Sequence, residues 1–509
     1  MIISLSVLVI TIIVSGTYAL YKAQLSKNIG VNTTTHGLAY YINYVKGTDI
    51  TAATLNPSTS YEGGASSDIE FWKKDDSYDI YGKIELTVNT IGTNLSNSPA
   101  LKYAVVNNGN VLKEGSLKGT TSGSKVTILK NLYLEQTKQI YTVYVWLDNS
   151  EELGNISNES LSISVDCTAS LQKEPTAADT IISLYTSAAK VTATNNSITY
   201  NTAPSVSLMN DRLGGTTTSL DGGNIRYYGA SPNNYIYFNC SDYSNQTSST
   251  CETWRIIGVF DGKLKLIKSE SIGAYSWDNK DTSTGAENDT GKNDWTTARL
   301  MKLLNPSNYY KVDSNDNNLG QSLYYNSASG KCYSGQNNAT VDCDFTSTGI
   351  KNAETRNMIA ETTYNLGGWN SNSVYSNQIY EYERGTTVYS GRPTTWKGKI
   401  ALAYPSDYGY AADLNQCKDK TLYDYDNRTC TSNNWMKAII TNNGSNTGWL
   451  LTPRSGSSSN AWYVNSGGFV SRDSIAYVAY GAVPVLSLSS KLGIESGDGS
   501  SSNPYKLSA

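Results

Sequence analysis

Three pairs of cysteines set the tightest limit on what this chain can fold into. Cys240 and Cys251 lie eleven positions apart, as do Cys332 and Cys343, while Cys417 and Cys430 lie thirteen apart. The intervals are polar and rich in Ser and Asn. Such spacing predicts three local disulfides, although six cysteines permit other pairings. Each closed loop is worth roughly 3 kcal/mol in chain-entropy terms. Disulfides persist in oxidising compartments, so the spacing also predicts export. A metal site is the rival reading and fares worse. There is no Cys-x-x-Cys, and the only histidine, His36, is distant in sequence. Neither a metal nor a cofactor is expected. Cys167 is left over; it alternates with Leu161, Ile163 and Val165, which predicts a buried thiol on the core face of a strand.

One histidine also removes every catalytic scheme that needs two His ligands or a separate His base. A net charge of −4 with 17% charged residues leaves no basic footprint for nucleic acid. The chain has 509 residues, which suggests three or so units, ample for sizeable cores. Gly, Ser, Thr, Asn and 39 Tyr dominate it, a profile of exported β-rich proteins.

Residues 1–21 carry no charge, and Ile2 to Val14 are almost wholly apolar. The run is short for a membrane span but fits a signal-peptide core. Ser15, Gly16, Thr17 and Ala19 supply small residues for a cut after Ala19. Lys22 and Lys27 follow the run and nothing basic precedes it, contrary to the usual orientation rule. An uncleaved membrane anchor is therefore the alternative. Both readings place the protein outside the cell or at its surface.

Residues 22–170 read as strands. Ile84, Leu86 and Val88 alternate, and Asn108–Gly109 marks a hairpin between two apolar runs. Val126 to Leu132, Ile140 to Leu147 and Leu161 to Cys167 continue the pattern, which predicts an antiparallel β-sandwich. Residues 171–220 read as a linker with a short helix, Thr176 to Ala189. Residues 221–509 read as an α+β domain. Asp261–Gly262 marks a second hairpin there. Helices are predicted from Asn293 or Asp294 to Leu304, and from Ala353 to Leu366. Short strands are expected at 399–404, 449–452, 462–464 and 483–488. The fold class is mainly β with an α+β part.

Gly16-Thr-Tyr-Ala19 ahead of a sandwich resembles the exported camelysin and biofilm-matrix fibre proteins of Gram-positive bacteria. Tyr141-Thr-Val-Tyr-Val-Trp-Leu-Asp148 resembles a late strand of related domains. Some camelysin relatives are described as metalloproteases, but this chain has no His-Glu-x-x-His, so no activity carries over. The far end resembles a C-terminal cassette of surface proteins from gut Firmicutes. Its blocks are Gly448-Trp-Leu-Leu-Thr-Pro-Arg454, Asn460-Ala-Trp-Tyr-Val-Asn-Ser-Gly-Gly468, Gly481-Ala-Val-Pro-Val-Leu486 and Gly497-Asp-Gly-Ser-Ser-Ser-Asn-Pro-Tyr505. The resemblance implies a C-type-lectin-like fold related to the formylglycine-generating-enzyme fold. Val483 stands where that family usually has Arg, which puts local stability there in question.

Within the cassette, Trp462, Tyr463, Phe469, Ser471, Arg472, Asp473, Tyr477 and Tyr480 form the candidate ligand-binding strip. Rigid aromatic anchors beside adaptable polar residues are what paratopes use. The rival reading is an ordinary hairpin with drifting surface residues. The family resemblance adds a source of variety, since lectin-like domains include targets of diversity-generating retroelements, which mutate adenines. Calcium is not expected: the lectin motifs are absent, and the loop Asp313 to Asn317 lacks the Gly and Glu of an EF-hand. The carboxylates Asp407 and Asp413 read as loop residues, and no catalytic activity is expected. The resulting expectation is a surface protein presenting a lectin-like domain to an extracellular protein or glycan. The alternative is a structural subunit of a matrix or fibre, self-assembling through sandwich edges.

Overall fold

A computed structural model describes residues 23–25, 38–51, 55–212, 223–279, 290–311, 320–333, 340–442 and 445–508. The expected signal segment, His36 and the Asp313–Asn317 loop lie outside the described residues. Among those described, no helix is long and apolar enough to cross a membrane. The chain is mostly β and divides between Glu174 and Pro175 into two compact units.

The first unit is the antiparallel sandwich expected from the alternation. One sheet has the strand order Ala23–Leu25, Leu161–Ser170, Tyr81–Ile91, Lys125–Tyr133. The other runs Ile42–Val45, Ala65–Lys73, Ile140–Asp148, Leu101–Asn107, Asn110–Ser116. Every second residue from Gly82 to Val88 in the strand Tyr81–Ile91 is buried, as a period of two requires. Ile84, Leu86, Val88, Ile163 and Val165 share one core with Ile69, Phe71, Val143 and Val145. Burying each such side chain contributes roughly 1.5–3 kcal/mol. The hairpin turn takes φ of 49° at Asn108 and 76° at Gly109. Positive φ at both positions suits Asn-Gly and matches the strand twist. Cys167 is fully buried on the core face. Burial pushes its thiol well up, so it stays neutral and unreactive.

The second unit begins where a linker was expected. Pro175 onward belongs to it. Helix Ala177–Ser187 starts at a capping box: the Thr176 hydroxyl accepts from the Asp179 amide, and the Asp179 carboxylate accepts from the Thr176 amide. Its Ile181 and Tyr185 join the main core. Strands Val191–Asn195, Ile198–Ala203 and Leu208–Asn210 then open a nine-stranded sheet. Tyr200, Ala203, Leu208 and Met209 are buried, so this polar-looking stretch has enough apolar surface to pack. The sheet continues through Ile225–Tyr227, Glu252–Phe260, Lys263–Lys268, Val485–Ser487 and Ile400–Ala401. The Asp261–Gly262 hairpin joins two of these strands, with φ of 48° and 70°.

Two helix expectations need correction. The first helix is Arg299–Leu304, not a run from Asn293. The Asn293 amide is spent on the carbonyls of Arg454, Ser457 and Asn460, and Asp294 closes a turn on the Thr296 amide. Side chains committed to local and long-range bonds compete with a helix start. The second helix stops at Met358, and Thr362–Asn365 pairs as a strand with Thr395–Gly398. β-Branched Thr362 and Thr363 favour that outcome. All three expected cysteine pairs are disulfide-bonded. Val483 is buried among Val485, Leu450 and Trp435, an apolar setting that an Arg would not fit unpaired.

Candidate functional site

The strip lies in a second sheet of this unit, ordered Ala274–Ser276, Ala479–Gly481, Gly448–Pro453, Asn460–Val464, Val470–Ile475. Alternation sorts its residues between two faces. Trp462, Val464 and Val470 point into a core with Leu450, Tyr408 and Trp435. Trp462 is 0% exposed, so it anchors the sheet and does not reach a ligand. Ser471, 3% exposed, is also withdrawn. Both drop out of the proposed site: Trp462 faces the core, whereas Ser471, paired opposite Tyr463 on the other face, is covered and hydrogen-bonds to that tyrosine.

Tyr463 and Tyr480 form a half-buried aromatic row with Trp449. Centroids are 5.4 Å apart for Tyr463–Tyr480 and 4.7 Å for Trp449–Tyr480. Burial pushes the Tyr463 hydroxyl up, opposed by a Ser471 hydrogen bond. Tyr477 is half-buried, and its carbonyl accepts from Ser276 Oγ at 2.6 Å. These three tyrosines are partly packing residues.

Phe469, Arg472 and Asp473 remain at the surface, and the fold adds partners to them. Phe469 meets Tyr423 at 5.1 Å between centroids, and Tyr423 is 47% exposed. Asp473 accepts from Arg472 Nη1 at 2.8 Å and from Arg454 Nη1 at 2.6 Å. The Arg454 Nε donates to Asn370 Oδ1 at 2.7 Å, and the Asn372 amide reaches Asp473 at 3.3 Å. Exposed ion pairs of this kind contribute about 0–1 kcal/mol each, so the network positions groups more than it stabilises the fold. Arg472 Nε is buried without a partner among the described residues. Asn370, Asn372, Tyr423 and Arg454 were not singled out by sequence. No spacing rule links them; the fold brings Asn370, Asn372 and Arg454 to Asp473, and the turn Leu422–Asp424 brings Tyr423 to Phe469.

A second charged cluster is buried. Arg226 donates from Nε to Asp211 at 2.5 Å and from Nη1 to Asp407 at 2.9 Å. Lys265 pairs with the other Asp407 oxygen. Asp407 was expected in a loop. It sits instead in helix Pro405–Tyr410, where it also accepts from the Tyr404 amide at 3.0 Å. Burial pushes its carboxyl up, but Lys265 and Arg226 outweigh that and hold it low. Nearby Glu383 accepts from the Ser406 amide at 2.9 Å and hydroxyl at 2.5 Å. Burial pushes the Glu383 carboxyl up to about 7, against Arg384 and Ser406. These charges are enclosed, and each lines up with a structural partner. Among the described residues no cluster of His, Cys, Asp and Glu could hold a metal.

No family model matches this chain. No curated protein matches it. Two solved structures show a weak likeness. A crystal structure of an HCR/D mutant is 12% identical, with 51% of this chain and 76% of that chain covered, at a TM-score of 0.15. A receptor-binding domain of botulinum neurotoxin mosaic serotype C/D is 11% identical, with 50% and 74% covered, at a TM-score of 0.15. Scores that low carry no argument about fold or function.

Proposed function

We propose that this is an exported, non-catalytic surface protein whose second unit recognises an extracellular protein or glycan. One observation carries the reading: the partly exposed patch of Tyr423, Phe469, Arg454, Arg472 and Asp473 at the edge strand Val470–Ile475 and the segments beside it. Aromatic surface with fixed hydrogen-bonding groups at its side is the composition of a recognition surface. Three disulfides agree with an oxidising compartment. A C-type-lectin-like relationship, retroelement diversification and membrane attachment through residues 1–21 belong to the same proposal. The test is binding of the full chain to arrays of glycans and extracellular proteins. A specific hit lost in a Tyr423→Ala, Phe469→Ser variant supports the reading; a hit unchanged in that variant overturns this patch.

A second reading, a matrix or fibre subunit, rests on the sandwich edge strand Asn110–Ser116. Val111 is 44% exposed and Leu112 36% there, on a strand paired on one side only. Unpaired apolar edges template assembly. Concentration-dependent fibres in electron microscopy, abolished by Val111→Lys, would favour it.

A further inference from the structure

Helix Ser376–Glu383, the Pro405–Tyr410 helix and the chain after Leu208–Asn210 border an open cleft of about 320 Å³. Asp211, Arg212, Asn377, Tyr380, Glu381 and Tyr410 line it. Pockets that hold small molecules span roughly 300–1,000 Å³.

Its floor is fixed by bonds already made. Asp211 Oδ1 accepts from the Asn224 amide at 2.8 Å, and Oδ2 from Asn224 Nδ2 at 3.0 Å, in addition to Arg226. Asn224 Nδ2 also donates to the Tyr380 hydroxyl at 2.9 Å, which leaves that hydroxyl its proton to give. The aromatic faces are occupied as well. Arg384 lies 3.5 Å from the Tyr380 centroid, and Arg226 lies 4.8 Å from that of Tyr410. A ligand cation would have to compete with two guanidiniums for those rings, so the pocket is no aromatic cage.

The groups left unspent carry both signs. Arg212 and Glu381 are exposed and Asn377 is half-buried. Among the described residues, no hydrogen bond or ion pair engages the side chain of any of the three. A lone anion would suit Arg212 and meet Glu381 as a like charge; a lone cation would meet the reverse. A neutral polyol would leave both charges unanswered. A ligand bearing a carboxylate and an ammonium on one small frame answers both, through charge-assisted bonds about twice as strong as neutral ones. We propose that this pocket binds a free amino acid as its zwitterion, carboxylate toward Arg212 and ammonium toward Glu381. Asn377 and the Tyr380 hydroxyl fix its orientation. The inference shares no residue with the surface patch and does not depend on it.

The test is saturation-transfer NMR of the full chain with each common amino acid at millimolar concentration. N-acetyl amino acids, amino-acid methyl esters and methyl glucoside serve as comparison probes. At least one free amino acid should give a signal. Blocking either end of it, or changing Glu381→Gln or Arg212→Gln, should weaken binding about tenfold, the effect of roughly 1.4 kcal/mol. Both positions are exposed, so both variants keep the fold. The proposal is overturned if no free amino acid binds, if binding is unchanged in both variants, or if methyl glucoside binds as well as the amino acid.

Discussion

Asp407→Asn keeps the side-chain shape and removes one buried charge. Arg226 retains Asp211 in that variant. Lys265 retains no anion among the described residues. Its side chain is 7% exposed, and its remaining neighbours are the rings of Phe260 and Tyr404 at 4.9 and 4.6 Å. Removing one partner of a buried ion pair costs about 3–5 kcal/mol. Lysine has an escape, because it can shed its proton at about 1.4 kcal/mol for each pH unit below its ordinary ~10.4. That caps the Lys265 contribution near ~4.6 kcal/mol at pH 7 and near ~1.9 kcal/mol at pH 9. The variant is therefore expected to lose about 3–4 kcal/mol at pH 7 and about 2 kcal/mol at pH 9. In acid the two proteins converge. The native Asp407 carboxyl is held low, so its contribution holds above the ordinary carboxylate range and is lost as pH falls through the lowered value. Urea unfolding followed by tryptophan fluorescence reads the change as a shifted midpoint of the second unit's transition at constant slope. A cost below about 1 kcal/mol at pH 7, or one that does not fall by pH 9, refutes the reasoning.

Three further outcomes follow from the same structure. Glu383 is raised to about 7, so the stability tied to it is full below the ordinary Glu value and lost as pH rises through 7; Glu383→Gln should flatten the native decline between pH 5 and 8 in the same assay. Cys417→Ser with Cys430→Ser opens the thirteen-residue loop and should cost about 3 kcal/mol, seen as a lower thermal midpoint of the second unit. Thr176→Ala removes the hydroxyl that caps helix Ala177–Ser187 and should cost about 1 kcal/mol in the second unit's urea transition, with no effect on the first.

Period-two alternation was readable wherever a strand had one buried face. Ile84–Leu86–Val88 and Leu161 to Cys167 therefore lie on the sandwich core as their sequence implies. The two Asx-Gly hairpins were equally legible, since only a few residue types accept positive φ at those sites. Short helices were not. Ser376–Glu383 and Met436–Thr441 have only eight and six residues, too short for a periodic signal, and packing holds them rather than propensity. The strip was legible as a segment but not as a surface. Trp462 and Tyr463 are neighbours in sequence, and one is core while the other is half-exposed.

The sequence by itself determined what local chemistry dictates: close cysteine pairs, hairpin turns and alternating core positions. Only the tertiary structure decided which charges meet. Arg226, Lys265 and Asp407 come from three distant segments, and Arg454, Arg472 and Asp473 gather with Asn370 across a loop. No local rule reaches that far. Coulomb and hydrogen-bond energies depend on distance in space, and in this unit the sheet order sets that distance.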